Sequence, residues 1–277
     1  MKKVTVILSG VGMYGYSGIA LMELFDKHQI KPNLIVGCSE GALIAALWAK
    51  GYSPVDALKI VRQACRVSQA ASMNVLNALF FFKSPRGEYT KENALLKVKH
   101  IQKVYHEVFK DQLIEHLPVQ TIFQTTDVEL GETHYIRTGL LADAIYASSA
   151  ILPFYPAIKM NDKWLADGVF SEFLPMRVVL DEKSDVIIAI DPQIPANREA
   201  KTFMFAYAQF LQKALKISSA PRTALVYDLH NDEILIIPIK VACDEKGVHD
   251  ESLQQLLESA RANIADKEAL ILQTIGH

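Results

Sequence analysis

The sequence predicts an α/β fold: a mostly parallel central sheet with helices on both faces, in three layers. Three observations carry that prediction. Short, continuous, β-rich apolar runs at residues 4–8, 34–36 and 186–190 have the character of strands buried on both faces. These runs alternate with stretches of helical character, as in a parallel sheet whose crossovers are helices. Two of them lead directly into glycine-bearing turns, at residues 10–15 and 37–41. With 277 residues, 50% hydrophobic and 22% charged, the chain can bury a large core, and wholesale disorder is excluded. No repeat, low-complexity tract or linker interrupts it, so one domain over residues 1–277 is expected.

Element by element, residues 4–8 form the first strand, and a helix from about 17 to 28 follows the loop at 10–15. The second strand begins near residue 34. A helix over 41–50 comes next, with Gly51 as its cap. Ser53-Pro54 reads as an N-cap with proline at the first helical position, opening a helix to about 66. Val75, Leu76, Leu79, Phe80, Phe81 and Phe82 form a dense apolar cluster that reads either as a core helix turn or, over 74–86, as a lid beside a site. Residues 91–110 read as a charged outer helix. Strands at 119–125 and 132–136 precede a small-residue segment at 143–150 and an irregular loop with Pro153 and Pro156. Residues 158–160 and 163–166, joined at Asn161-Asp162, read as a hairpin with a tight polar turn that delivers Asp167. A strand at 186–190, a helix at 202–217, a strand at 234–239 and a terminal helix at 250–275 complete the chain.

Composition narrows the function. A net charge of −2 leaves no electrostatic footprint for nucleic acid. Cys38, Cys65 and Cys243 are odd in number and widely spaced, giving neither a disulfide framework nor a metal-binding pair. A reducing, cytoplasmic setting with no metal and no organic cofactor is the expectation. The run after Met1-Lys2-Lys3 superficially resembles a leader but breaks at Ser9-Gly10, and reads as a strand. No stretch reaches ~18 uninterrupted apolar residues, so a membrane span is not expected, while peripheral contact with a membrane stays open.

Chemistry concentrates at Gly37-Cys38-Ser39-Glu40-Gly41, a strand–turn–helix with a serine at the apex. This is the pattern of a nucleophile elbow, which holds a serine Oγ clear of the sheet at the positive end of a helix. A plain N-cap serine fits the same residues. The loop Gly10-Val11-Gly12-Met13-Tyr14-Gly15 matches G-x-G-x-x-G after a strand, a pattern shared with dinucleotide binding. Glu40 is the residue available for a ribose contact, but it sits inside a turn that opens another helix and not at a strand tip. The loop fits better as a set of backbone N–H donors for an oxyanion. For the base, His230 in Asp228-Leu229-His230-Asn231-Asp232 is one candidate, and Asp167 in Ala166-Asp167-Gly168-Val169 is the better one. An ordinary aspartate is a weak base at neutral pH, so Asp167 would need desolvation to serve.

Four pieces, in order, resemble the bacterial branch of the patatin-like phospholipase family: residues 9–15, 37–41, 147–156 and 167–169. The resemblance spans roughly residues 4–180. It implies a patatin-like three-layer α/β/α hydrolase domain with a Ser39–Asp167 dyad and no histidine. It also implies an oxyanion hole at residues 10–15, and Gly168-Val169 as the motif after the base. Tyr14 stands where family members commonly carry arginine, Val11 replaces a glycine, and Val169 takes the place of a second small residue. The implied activity is that of a serine lipid acyl hydrolase, a phospholipase A or lysophospholipase-like esterase acting through an acyl-enzyme. A non-lipid carboxylesterase and a non-catalytic acyl-lipid-binding protein are the alternatives.

Overall fold

The computed structural model describes residues 2–10, 12–69, 94–182, 184–193, 203–229, 234–240 and 250–277. The apolar cluster at 74–86, Val11, His230 and Cys243 lie outside them. Among the described residues eight strands form one sheet. They are β1 (Val4–Leu8), β2 (Leu34–Cys38), β3 (Gln120–Asp127), β4 (Glu132–Ile136), β5 (Ile158–Met160), β6 (Lys163–Asp167), β7 (Val186–Gln193) and β8 (Ile234–Lys240). The order is β5-β6-β3-β2-β1-β7-β8, with β4 also paired to β3. Five strands run parallel, β3-β2-β1-β7-β8, while β4, β5 and β6 form the antiparallel end.

The alternation of side chains along each strand assigns two cores. Val4, Val6, Leu8 and Ile35 point to one face, where α1 (Gly18–Lys27) and α2 (Glu40–Lys50) pack. So do α3 (Pro54–Gln69), α4 (Lys99–Phe109), α5 (Leu141–Ser148) and α7 (Asp250–Ala265). Ile7, Leu34, Val36, Ile122 and Ile187 point to the other face, covered by Leu174, Met176, Val178 and Val226 of α6 (Phe203–Leu229). This is the expected three-layer arrangement, with its helices unequally shared. Among the described residues no helix is long and apolar enough to cross a membrane.

Four segments differ from the sequence expectation. The helix foreseen at 91–110 is α4, starting only at Lys99, because Leu95 and Leu96 donate their backbone N–H groups to Pro153 and Phe154 instead. The helix foreseen at 202–217 continues to Leu229 through Pro221. Pro221 lacks an N–H for the preceding turn, and the hydroxyls of Ser218 and Ser219 bond to the Leu215 and Lys216 carbonyls there. The terminal helix breaks at Asp266-Lys267, where bonds tighten, into α7 and α8 (Glu268–Ile275). The small-residue segment at 143–150 is mostly helix α5. The caps and turn read from sequence are present: Gly51 at φ 89°, Ser53 Oγ accepting the Asp56 N–H at 3.1 Å, and positive φ at both Asn161 and Asp162.

The register around β3 fixes the site. Thr125 pairs with His134 of β4 on one edge and with Asp167 of β6 on the other. The neighbouring Gln124 pairs with Tyr135 of β4 and, across the second edge, with Cys38 of β2. One edge of β3 is therefore occupied first by β2 and then, head to head, by β6. Ser39 follows the end of one and Asp167 closes the other.

The elbow helix is pressed against β1: a Cβ built on Gly41 would lie 2.3 Å from the Leu8 carbonyl oxygen, which is backbone and cannot swing aside. Gly41→Ala is expected to lower stability by ~3 kcal/mol or more. A urea midpoint equal to wild type would contradict this packing.

Candidate active site

Ser39 takes φ 53° and ψ −128°, a region that non-glycine residues avoid at a cost of ~1–3 kcal/mol. The strain is held by tight packing. A Cβ on Gly10 would fall 2.3 Å from Ser39 Cβ and 2.4 Å from the Cys38 carbonyl oxygen, so the loop after β1 lies directly on the elbow. Ser148 of α5 holds it from the other side. Its carbonyl and its Oγ accept the Ser39 N–H at 3.2 and 3.0 Å, while its own hydroxyl donates to the Gln124 carbonyl at 2.7 Å. The Ser39 hydroxyl makes no capping bond to α2. It lies 2.7 Å from Asp167 Oδ2 and 2.7 Å from Glu40 Oε2.

Asp167 is fixed by its neighbours. Its Oδ1 accepts the Val169 N–H at 3.0 Å, and its carbonyl accepts the Thr126 hydroxyl at 2.8 Å. The Gln124 side-chain amide donates to the carbonyls of both Gly168 and Glu172 at 2.7 Å, pinning the turn that follows. Burial pushes the Asp167 carboxyl well above the usual carboxylate range, and the charge of Glu40 pushes it further; the bonds from Val169 and Ser39 oppose this only in part. Burial also raises Glu40, against hydrogen bonds from Ser39, from its own N–H and from the Gly12 N–H. Cys38 sits behind the serine, kept a thiol by burial and by the nearby carboxylates, with the Gly10 N–H directed at it.

Ser39 and Asp167 open into a cavity of about 220 Å³. Its walls are Ile151, Phe154, Val169, Phe173, Leu211 and Leu215, with Gln212, Gly10, Gly12 and Glu40 completing the lining. Of the residues expected at the glycine loop, Gly10 and Gly12 line this cavity. Met13, Tyr14 and Gly15 do not: Tyr14 and Gly15 are buried in the 3-10 turn Tyr14–Ser17, where a Cβ on Gly15 would meet Glu40. Gly37 and Gly41 serve the backbone crossing, and Gly168 packs on the Gln124 carbonyl. Sequence reading assigned nothing to Ser148, Gln124 and Thr126. For Gln124 and Thr126 the signal was there as a polar run, Gln124-Thr125-Thr126-Asp127, directly after Ile122-Phe123 in a strand buried from Thr121 onward. Among the described residues no group of three or more His, Cys, Asp or Glu is placed to hold a metal ion.

A strained serine on a strand-to-helix turn, faced by a buried aspartate over an apolar pocket, defines a serine-centred α/β architecture. The chain belongs to the patatin-like phospholipase family, whose model matches residues 6–180. An uncharacterised NTE family protein of Mycobacterium tuberculosis (strain ATCC 25618 / H37Rv) is 23% identical over 191 residues, 69% of this chain and 30% of that protein. The lysophospholipase NTE1 of Debaryomyces hansenii is 26% identical over 191 residues, 69% of this chain and 12% of that protein. The chain thus spans less than a third of the length of these curated relatives. VipD from Legionella pneumophila shares the fold with a TM-score of 0.52 at 13% identity, covering 99% of this chain and 67% of that one. Family membership supports lipid hydrolysis as the class of activity.

Glu172, five residues beyond Asp167, is buried, with its carboxyl accepting the Arg177 N–H at 3.1 Å and facing Tyr135. Burial pushes it up to about 7 from an ordinary 4.5. The folded chain therefore holds a proton that the unfolded chain has released, so stability is full below about pH 4 and falls as pH rises through about 7. Glu172→Gln keeps the acceptor and removes the charge. It should leave Tm unchanged near pH 4 and raise stability above about pH 8 by on the order of 3 kcal/mol. Parallel Tm–pH curves for the two proteins would refute it.

Proposed function

We propose that this chain is a serine lipid acyl hydrolase in which Ser39 is the nucleophile and Asp167 its base. The observation that carries the reading is the 2.7 Å contact of Ser39 Oγ with Asp167 Oδ2 at the floor of an apolar cavity. Ser39 Oγ attacks the ester carbonyl carbon as its proton passes to Asp167. The oxyanion forms against backbone N–H groups of the loop after β1, and the Gly12 N–H, which faces the Glu40 carboxyl in the free chain, must turn from it to take part. Collapse breaks the bond to the leaving alcohol, which takes the proton from Asp167. Water then attacks the acyl-enzyme, gives its proton to Asp167 and releases the fatty acid, and the proton returns to Ser39. Desolvation suits Asp167 to this task by making the carboxylate a stronger base than an exposed one.

The substrate class follows from the walls: an acyl chain laid along Ile151, Phe154, Phe173 and Leu211 buries apolar surface that a small polar ester would not. The lysophospholipase name of a relative that this chain partly spans agrees with this choice. We take residues 1–277 as one hydrolase domain, since strands from residue 4 to residue 240 pair in one sheet. Peripheral contact with a lipid surface belongs to the same proposal. Phe210, Ile217 and Leu225 stand exposed on α6, the helix whose Leu211 and Leu215 line the cavity.

A fluorophosphonate probe should label Ser39 in the wild type and nothing in Ser39→Ala. Asp167→Asn should lose ~10²–10⁴ of ester turnover with its fold intact by circular dichroism. Near wild-type turnover in Asp167→Asn would remove the base assignment, and an unlabelled Ser39 with no ester turnover would favour a binding protein. For the lipid contact, Phe210→Glu combined with Ile217→Glu should lower hydrolysis of esters in vesicles relative to that of a soluble short-chain ester. An unchanged ratio would count against the contact.

A further inference from the structure

Ser39 Oγ stands between two carboxylates, Asp167 Oδ2 and Glu40 Oε2, each 2.7 Å away. A hydroxyl has one proton and donates to one acceptor at a time. With both carboxylates ionised, one of these short contacts would set two electron-rich oxygens against each other. The geometry is satisfied when one carboxyl carries a proton and donates to Oγ while Oγ donates to the other. Among the described residues no cation is among the groups acting on either carboxyl.

The other titratable groups around the pair do not change this. Tyr16, Tyr105 and Tyr155 face Glu40, and all three are pushed up by burial and stay neutral. Cys38 lies behind both carboxyls as a buried thiol, and Glu172 is a third carboxylate acting on Cys38. Glu40 itself is held in place by the Gly12 N–H and by its position in the first turn of α2.

We propose that Glu40 and Asp167 hold a single proton between them across Ser39 Oγ, making Glu40 a positioning residue that sets when Asp167 can accept the serine's proton. The inference rests on the hydrolase reading above and adds a third group to it. When the shared proton sits on Asp167 the base is blocked and Ser39 donates to Glu40. With the proton on Glu40, the Glu40 hydroxyl donates to Oγ and Oγ donates to ionised Asp167. Only this second arrangement is ready for attack. As Oγ bonds to the carbonyl carbon its proton passes to Asp167, so the pair briefly carries two. The leaving alkoxide takes one from Asp167, restoring the count.

The sign of the Glu40 effect is fixed by charge. Part of what raises Asp167 is the Glu40 carboxylate, so removing it frees Asp167 at lower pH. The test is a carbon-13 NMR titration of labelled Asp and Glu carboxyls in the full chain, with kcat/KM measured over the same pH range. Wild type should show two coupled steps for Asp167 and Glu40. In Glu40→Gln, Asp167 should titrate in one step at lower pH, and the rising limb of kcat/KM should move down with it. In Asp167→Asn, Glu40 should titrate in a single step in place of the two coupled ones, which keeps the proposal testable if Glu40→Gln folds poorly. An Asp167 step that stays in place in Glu40→Gln, or a Glu40 carboxyl that still titrates in two steps in Asp167→Asn, overturns the shared proton. Coupled steps in a protein that neither turns over esters nor labels at Ser39 would sink the hydrolase reading and leave the pair standing.

Discussion

One edge of β3 is shared by two strands that never pair with each other, and the site depends on that arrangement. β2 runs up to Cys38 opposite Gln124, and β6 runs down to Asp167 opposite Thr125. Adjacent residues of one strand thus act as a ruler for two side chains that are 128 positions apart in sequence. A parallel sheet alone could not do this, because its strands all deliver their C-terminal ends to the same rim, side by side. The antiparallel hairpin β5–β6 is what brings a second strand end into line with the first. Gln124 and Thr126 then hold the turn beyond it, each hydrogen-bonded to backbone that only a strand in that lane can present.

The elbow works within a narrow electrostatic range. Its serine is buried between two carboxylates, and among the described residues no cation acts on them, so two charges side by side would be costly there. The start of α2 supplies the compensating field: Glu40 lies in the first turn, where a negative charge is favoured. Ser148 takes the Ser39 N–H, while the Gly10 and Gly12 N–H groups face Cys38 and Glu40, so each of these backbone donors has a partner in the free chain. Backbone strain at Ser39, close approach at Gly10 and Gly41, and the Ser148 clamp are parts of one packing problem.

Much of this was legible in the residues. The apolar runs gave strands because a strand buried on both faces has no polar alternation to obscure it. Ser39 and the two glycine turns stood out because strained backbone restricts residue choice to a few types. The hairpin turn at Asn161-Asp162 was readable for the same reason: both residues take positive φ. Less visible were features set by partners distant in sequence. Lys99 begins a helix that local pattern placed eight residues earlier, since Leu95 and Leu96 bond to a loop nearly sixty positions away. Pro221 marked no helix end: α6 runs on through it to Leu229. Glu40 was read as an elbow residue and weighed as a ribose ligand, since nothing local tells that its carboxyl curls back onto the preceding serine.

The hairpin carrying Asp167 is joined to the rest of the sheet by three residue pairs, Thr125–Asp167, Thr126–Ala166 and Asp127–Leu165, whereas β2 is embedded between two full neighbours. Sheet margins held by so few pairs open more readily than their centres. The pairing of Asp167 with Ser39 and the folding of the parallel sheet are therefore separable in this chain. Detachment of β5–β6 would take the carboxylate from the serine while the five parallel strands stayed paired, a local opening distinct from melting.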